Sequence, residues 1–224
     1  MVFSRDILRK VSEFPVSSKP LPAAETEPKL TAVMETVTLV SLAVAVLSLV
    51  LFAWIAGSLS HAWVRDFDFV VRSKVHDHAS PELTQWMIWI SIIGGDGLFF
   101  IALFCFVMFL AFRWKRAALW LAIDLAGALV LDLTLKYSFD RLRPTPFFVP
   151  LPRTPSFPSG HALFSFCFFG VLAGLIVDRI QSRIWKIIIW TYTALLIAAI
   201  GLSRIYLGVH YPSDVIAGYL TGTL

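Results

Sequence analysis

The run TVTLVSLAVAVLSLVLFAWIAGSLS, Thr36–Ser60, contains no charged residue and is built mainly from leucine, valine and alanine. A helix needs roughly 20 apolar residues to cross the hydrocarbon of a bilayer, so this stretch reads as a membrane span. The whole composition agrees. Of 224 residues, 58% are hydrophobic and 15% charged, with a mean hydropathy of +0.76, far more apolar than a soluble globular domain. The charges collect in short segments between long uncharged ones, which is the pattern of several crossings and not of one anchor carrying a soluble domain.

Working outward from that span, residues 1–31 carry Arg5, Arg9, Lys10, Pro15, Lys19, Pro20 and Pro22 without an apolar core. They read as a cytoplasmic tail and not as a cleavable signal. A short amphipathic surface helix over Phe3–Phe14, with basic residues against anionic headgroups, is a second reading of the same stretch. Residues 32–224 form one membrane domain. On the other side of the span, His61–Glu82 is polar and lies at the surface, partly helical. A second crossing, Thr84–Phe112, is interrupted by Gly94-Gly95-Asp96-Gly97, which predicts a kink or a break.

A basic turn, Arg113–Arg116, precedes a third crossing over Ala117–Tyr137 that contains Asp124, Asp132 and Lys136. Ser138–Pro158 is rich in proline and arginine and cannot span. His161–Val177 is a fourth crossing and Ile187–Leu202 a fifth. A sixth begins near Pro212 and is cut short at Leu224. The expected architecture is therefore an all-α polytopic bundle of about six transmembrane helices.

Lysine and arginine favour the cytoplasmic loops. That rule puts the N-terminal tail, Arg113–Arg116 and Asp178–Lys186 inside, and His61–Leu83, Ser138–Gly160 and Ser203–Tyr211 outside. Topology also accounts for the net charge of +4, so no nucleic-acid partner is implied. Cys105 and Cys167 sit in apolar runs with no metal-ligand spacing, and read as packing residues. Trp63, Trp86, Trp114 and Trp185 near span ends fit an interfacial belt.

Three clusters on the predicted outer side carry chemistry. Lys136, at the end of the third span, and Arg143 can aim two cations at one anion, arginine as a planar fork and lysine as a point charge. Headgroup anchoring is the competing reading for Lys136. Pro158-Ser159-Gly160-His161 opens the fourth helix. Ser159 is a candidate N-cap, and the free N–H groups at such a terminus bind phosphate readily. Gly160 permits close approach, and His161 titrates in the range suited to proton transfer.

Ser203-Arg204 is followed by His210 and Asp214. These last two, four apart, lie on one helical face, where the carboxylate can hold one ring nitrogen and leave the other as a nucleophile. An interfacial histidine beside a capping aspartate is the alternative. The conjunction on one side of the membrane favours function, because ionisable groups at membrane depth are costly.

The series Lys136-x6-Arg143-Pro144, Pro158-Ser159-Gly160-His161, Ser203-Arg204-x5-His210-x3-Asp214 resembles the tripartite signature of the type 2 phosphatidic-acid phosphatase superfamily, with every position filled. The resemblance implies a membrane lipid phosphatase acting on a phosphomonoester or diphosphate, such as polyprenyl diphosphate, phosphatidate or phosphatidylglycerophosphate. It implies attack by His210, orientation by Asp214 and proton transfer by His161, with Lys136, Arg143, Arg204, Ser159 and the Gly160 amide around the phosphoryl oxygens.

The resemblance implies neither metal nor cofactor, and no obligatory protein partner beyond membrane lipids and the lipid phosphate substrate. The site would face the periplasm or exterior of a bacterial inner membrane. A lipid phosphotransferase using the same phosphohistidine is the alternative. A transporter or scaffold would leave the histidines and Arg204 unexplained. Relatives usually complete the sixth helix, whereas here the chain ends ten residues after Asp214.

Among the remaining charges, Asp132 is expected to pair with Lys136 or Arg141. Asp124 lacks a partner nearby in sequence, and Asp96 sits in the glycine-rich break. Arg141 and Arg153 are candidates for holding a second phosphate. His76, Asp77 and His78 suggest a metal site less than a solvated surface.

Overall fold

The computed structural model describes residues 27–224, with side chains from Met34 onward. The expected tail over residues 1–31, with the alternative surface helix Phe3–Phe14, lies outside the described residues except for 27–31, which are helical. The chain divides into two compact units, residues 1–43 and Val44–Leu224. Described secondary structure is entirely helical: α1 Glu27–Gly57, α2 Ala62–Asp77, α3 Pro81–Gly94, α4 Asp96–Ala111, α5 Lys115–Phe139, α6 Gly160–Val177, α7 Arg183–Tyr206 and α8 Pro212–Thr221.

Four helices are long and apolar enough to cross a membrane: Met34–Gly57 within α1, and α5, α6 and α7. The pair α3 and α4, bent by 41°, makes a fifth when taken as one broken span. This is a multi-pass integral membrane protein. The expectation of about six spans includes α8, which has 10 residues and is not among the helices long enough to cross. At 1.5 Å per residue it reaches about 15 Å, half of the roughly 30 Å hydrocarbon core. Large apolar side chains face outward along the spans, among them Leu39, Phe100, Trp120 and Leu195, as the bilayer solvent requires.

Local chemistry sets where each helix stops. Ser80 caps α3 by accepting from Leu83 N–H at 3.2 Å, and Pro81 occupies its first turn. The predicted glycine break falls at Gly95, between α3 and α4. Arg113, at φ 62°, turns the chain from α4 into α5. Asp140, at φ 40°, ends α5 in a left-handed cap with its N–H on the Lys136 carbonyl at 2.9 Å.

Helix α6 lies at the centre. Leu163 and Phe168 on it are fully buried, and it packs against α3, α5, α7 and α8. One apolar cluster joins α4, α5 and α6 through Leu98, Ala102, Phe109, Ala118, Leu121 and Phe168. The polar ends of α5, α6, α7 and α8 meet above it. The segment after α5, from Asp140 to Ser159, is extended and proline-rich and folds over that meeting point.

Candidate active site

Each polar residue of the site is delivered by an element end. The last turns of α5 supply Asp132 and Lys136, four apart and ion-paired. This is the first of the two pairings expected for Asp132. The extended stretch after α5 alternates its side chains, as a period of two dictates. Arg141 and Arg143 point inward, whereas Leu142 between them is 85% exposed.

Helix α6 starts at Gly160 with Ser159 as its N-cap residue. The expected side-chain cap does not form. Ser159 Oγ is buried without a hydrogen-bond partner, while its N–H donates to the Asp214 carbonyl at 2.9 Å. A Cβ on Gly160 would come within 2.9 Å of Asp132 Oδ1 and 3.1 Å of Lys136 Nζ, so the absence of a side chain is what admits the lysine here. His161 follows on the first turn, with Gly95 of the α3–α4 break against it: a Cβ there would lie 2.6 Å from His161 Nε2.

Arg204, near the end of α7, is buried and donates to Ser91 Oγ of α3, while its Nε has no partner. Beyond it Gly208 adopts φ 79°, which lets the chain reverse. The amides of Val209 and His210 then fold back on the Arg204 carbonyl at 3.2 and 3.3 Å. His210 thus precedes α8 instead of lying on it. The dyad still forms, with Nδ1 3.3 Å from Asp214 Oδ2.

The neighbours of His210 settle which ring nitrogen is free. Arg143 Nη1 lies 3.0 Å from His210 Nε2. A guanidinium can only donate, so Nε2 must accept and the ring proton resides on Nδ1, directed at Asp214. That tautomer leaves a lone pair on Nε2. Burial first, and then the charges of Arg143, Arg204 and Lys136, hold the His210 pKa well below its ordinary value, which keeps the ring neutral.

Lys136, Arg143, Gly160, His161, Arg204 and His210 line one cavity of about 700 Å³. Ser159 and Asp214 lie directly behind this wall, both fully buried. From the polar end the same cavity runs as an apolar groove between α4 and α5. Leu98, Phe99 and Phe106 form one wall, and Leu121, Leu125 and Leu129 the other.

Other expectations resolve differently. Arg141 is not open to a second phosphate, because it is bound to Asp68 and Asp214. Arg153 is exposed and does not line the cavity. His76 stacks on Phe147 with ring centroids 3.9 Å apart, and His78 Nδ1–H donates to the Lys74 carbonyl at 2.8 Å. Among the described residues no three His, Cys, Asp or Glu side chains converge as metal ligands. Asp124 keeps one carboxylate oxygen, Oδ2, buried without a hydrogen-bond partner. Asp68 carries no local signal of a site residue, since its partner Ser213 is 145 positions away and it is one of many charges in a polar segment.

A helical multi-pass bundle with a cation-rich, histidine-bearing cavity opening into an apolar groove defines a class of membrane protein. The PAP2 superfamily model matches residues 117–224, and the chain is 30% identical over 160 residues to the protein YbjG of Escherichia coli, covering 66% of this chain and 74% of that one. The chain belongs to the PAP2 superfamily. It is also 36% identical over 117 residues to the undecaprenyl-diphosphatase of Sulfolobus acidocaldarius, covering 50% of this chain and 52% of the relative, so it spans about half of that protein's length. In fold it resembles the crystal structure of a transmembrane PAP2-type phosphatidylglycerolphosphate phosphatase from Bacillus subtilis. That likeness has a TM-score of 0.74 at 23% identity, over 80% of this chain and 90% of the other.

Proposed function

We propose that this protein is a lipid phosphatase that removes a phosphate from a membrane lipid through a phosphohistidine. The observation that carries the reading is the continuity of one cavity from the cluster of Lys136, Arg143, His161, Arg204 and His210 into the apolar groove between α4 and α5. A phosphoryl group fits the first and a hydrocarbon chain the second. Pockets that recognise amphiphiles need both.

In the first step His210 Nε2 attacks phosphorus, the bond from phosphorus to the lipid oxygen breaks, and His161 gives that oxygen a proton. Asp214 holds the Nδ1–H and stabilises the charge that develops on the ring. Lys136, Arg143 and Arg204, with the first N–H groups of α6, hold the three non-bridging oxygens. Catalysis of phosphoryl transfer rests mainly on such positioning and electrostatics. In the second step neutral His161 takes a proton from water. The hydroxide attacks phosphorus, the phosphorus–nitrogen bond breaks, and phosphate leaves with Nε2 restored.

The substrate classes in keeping with this site are polyprenyl diphosphates, phosphatidate and phosphatidylglycerophosphate. The names of the Sulfolobus and Bacillus relatives fall within that set. The ends of α5, α6 and α7 that carry the site lie opposite the basic turns at Arg113–Arg116 and Arg179–Lys186, which supports a site on the extracytoplasmic face.

The test is phosphate release in detergent with EDTA present, from dioctanoyl phosphatidate, phosphatidylglycerophosphate and farnesyl diphosphate. Wild type is expected to release phosphate from at least one, and His210→Ala to lose at least a thousandfold of that rate. Equal rates from the two proteins would overturn the phosphohistidine, and no release by wild type would overturn the phosphatase reading.

A further inference from the structure

Behind His210 lies a closed network whose outermost member is on α2, outside the stretch matched by the family model. Asp68 is 1% exposed, although its neighbours Phe67 and Phe69 face outward. Its Oδ1 accepts from Ser213 N–H at 2.9 Å, one of the donors that the first turn of α8 leaves unsatisfied. Its Oδ2 accepts from Ser213 Oγ at 2.7 Å and from Arg141 Nη2 at 2.8 Å.

Arg141 then reaches forward with Nη1, which donates to Ser213 Oγ at 2.8 Å and to Asp214 Oδ1 at 2.5 Å. Its guanidinium lies over the Tyr211 ring, 4.1 Å from the centroid. The second Asp214 oxygen, Oδ2, accepts from Tyr211 N–H at 2.9 Å and faces His210 Nδ1 at 3.3 Å. Both oxygens of Asp214 are therefore fixed, one by Arg141 and the other by the backbone and the imidazole.

We propose that Asp68 and Arg141 are positioning residues that hold Asp214 in register with His210, so that the surface helix α2 is part of the catalytic apparatus. The planar guanidinium reaches Asp68 and Asp214 through separate nitrogens, a fixed fork that the single point charge of an ammonium does not reproduce. With Asp68 neutralised, Arg141 loses half of its anchoring charge, and Asp214 loses the rigid partner that aims Oδ2 at the ring. This inference rests on the phosphohistidine reading for its kinetic consequence but not for its geometry.

The test uses the full chain in detergent, with Asp68→Asn as the main variant because the amide oxygen can still accept from Ser213 N–H. Arg141→Lys is the second variant, which carries the test if the first does not fold. On the better of dioctanoyl phosphatidate and farnesyl diphosphate, kcat is expected to fall at least tenfold in each folded variant, with KM within about twofold, by analogy with groups that orient a reacting histidine.

The independent readout is the ¹H–¹⁵N resonance of the His210 Nδ1–H in histidine-labelled protein, assigned by its loss in His210→Ala. It is expected to shift or to broaden beyond detection in both variants. An unmoved resonance overturns the proposal whatever the rates. A shifted resonance in the variants, where wild type itself releases phosphate from none of the three lipid substrates, supports the positioning role and removes the phosphatase reading instead.

Discussion

At the scale of single residues, the site combines a histidine kept neutral with cations kept close. Burial and then Arg143, Arg204 and Lys136 press the His210 pKa well below its ordinary value. The sign follows directly: protonation would fill the Nε2 lone pair, and every nearby cation opposes it. The acid limb of kcat/KM, which reports the free enzyme, is expected below about pH 6.5, the unperturbed histidine value. Arg143→Gln removes the cation nearest to Nε2. It is expected to cost at least tenfold in rate and to move the acid limb of the residual activity to higher pH. A limb that stays in place or moves down would show that Arg143 does not set the titration of the ring.

The same scale marks what sequence could reveal. Lys136, Arg143, His161, Arg204, His210 and Asp214 were legible because few side chains can hold or attack a phosphoryl group, and their order is specific. Arg141 reads from sequence as a candidate for a second phosphate or as a partner of Asp132, because nothing local indicates the carboxylates that claim it. Asp68 was invisible for the same reason, its burial being created by the packing of α2 against α8.

At the scale of elements, the break between α3 and α4 shapes both ends of the cavity. Gly95 leaves room for His161, since any Cβ there would lie 2.6 Å from its Nε2. The change of direction by 41° also aims α4 along α5 as one wall of the groove. The glycine cluster announced a break, but periodicity could not tell a kinked span from two helices, nor say which wall it would build. Ala126 of α5 lines the groove and is exposed, so a larger side chain there fills the groove without overpacking the core. Ala126→Phe is expected to raise KM severalfold for long-chain lipid phosphates and to leave turnover of a short-chain or soluble phosphate ester within about twofold. Equal effects on both would mean that the chain lies elsewhere.

At the scale of the whole molecule, charge and chemistry are segregated to opposite ends of the bundle. The turns at Arg113–Arg116 and Asp178–Lys186 join spans at one end, whereas Lys136, Arg143, His161, Arg204 and His210 gather at the other. Basic residues in short loops are retained in the cytoplasm, so the active end should face out. Leu151, 57% exposed in the segment over the site, offers a place to test this without touching the chemistry. The native cysteines are suited to the background: Cys105 is half-buried and Cys167 buried, both within spans. In intact cells, Leu151→Cys is expected to react with a membrane-impermeant maleimide, and Lys115→Cys, at the start of α5, only after the cells are opened. The reverse pattern would put the cavity on the cytoplasmic face. The lipid would then have to be supplied by a reaction whose product is left on the inner leaflet, instead of one that releases a lipid phosphate or diphosphate outside.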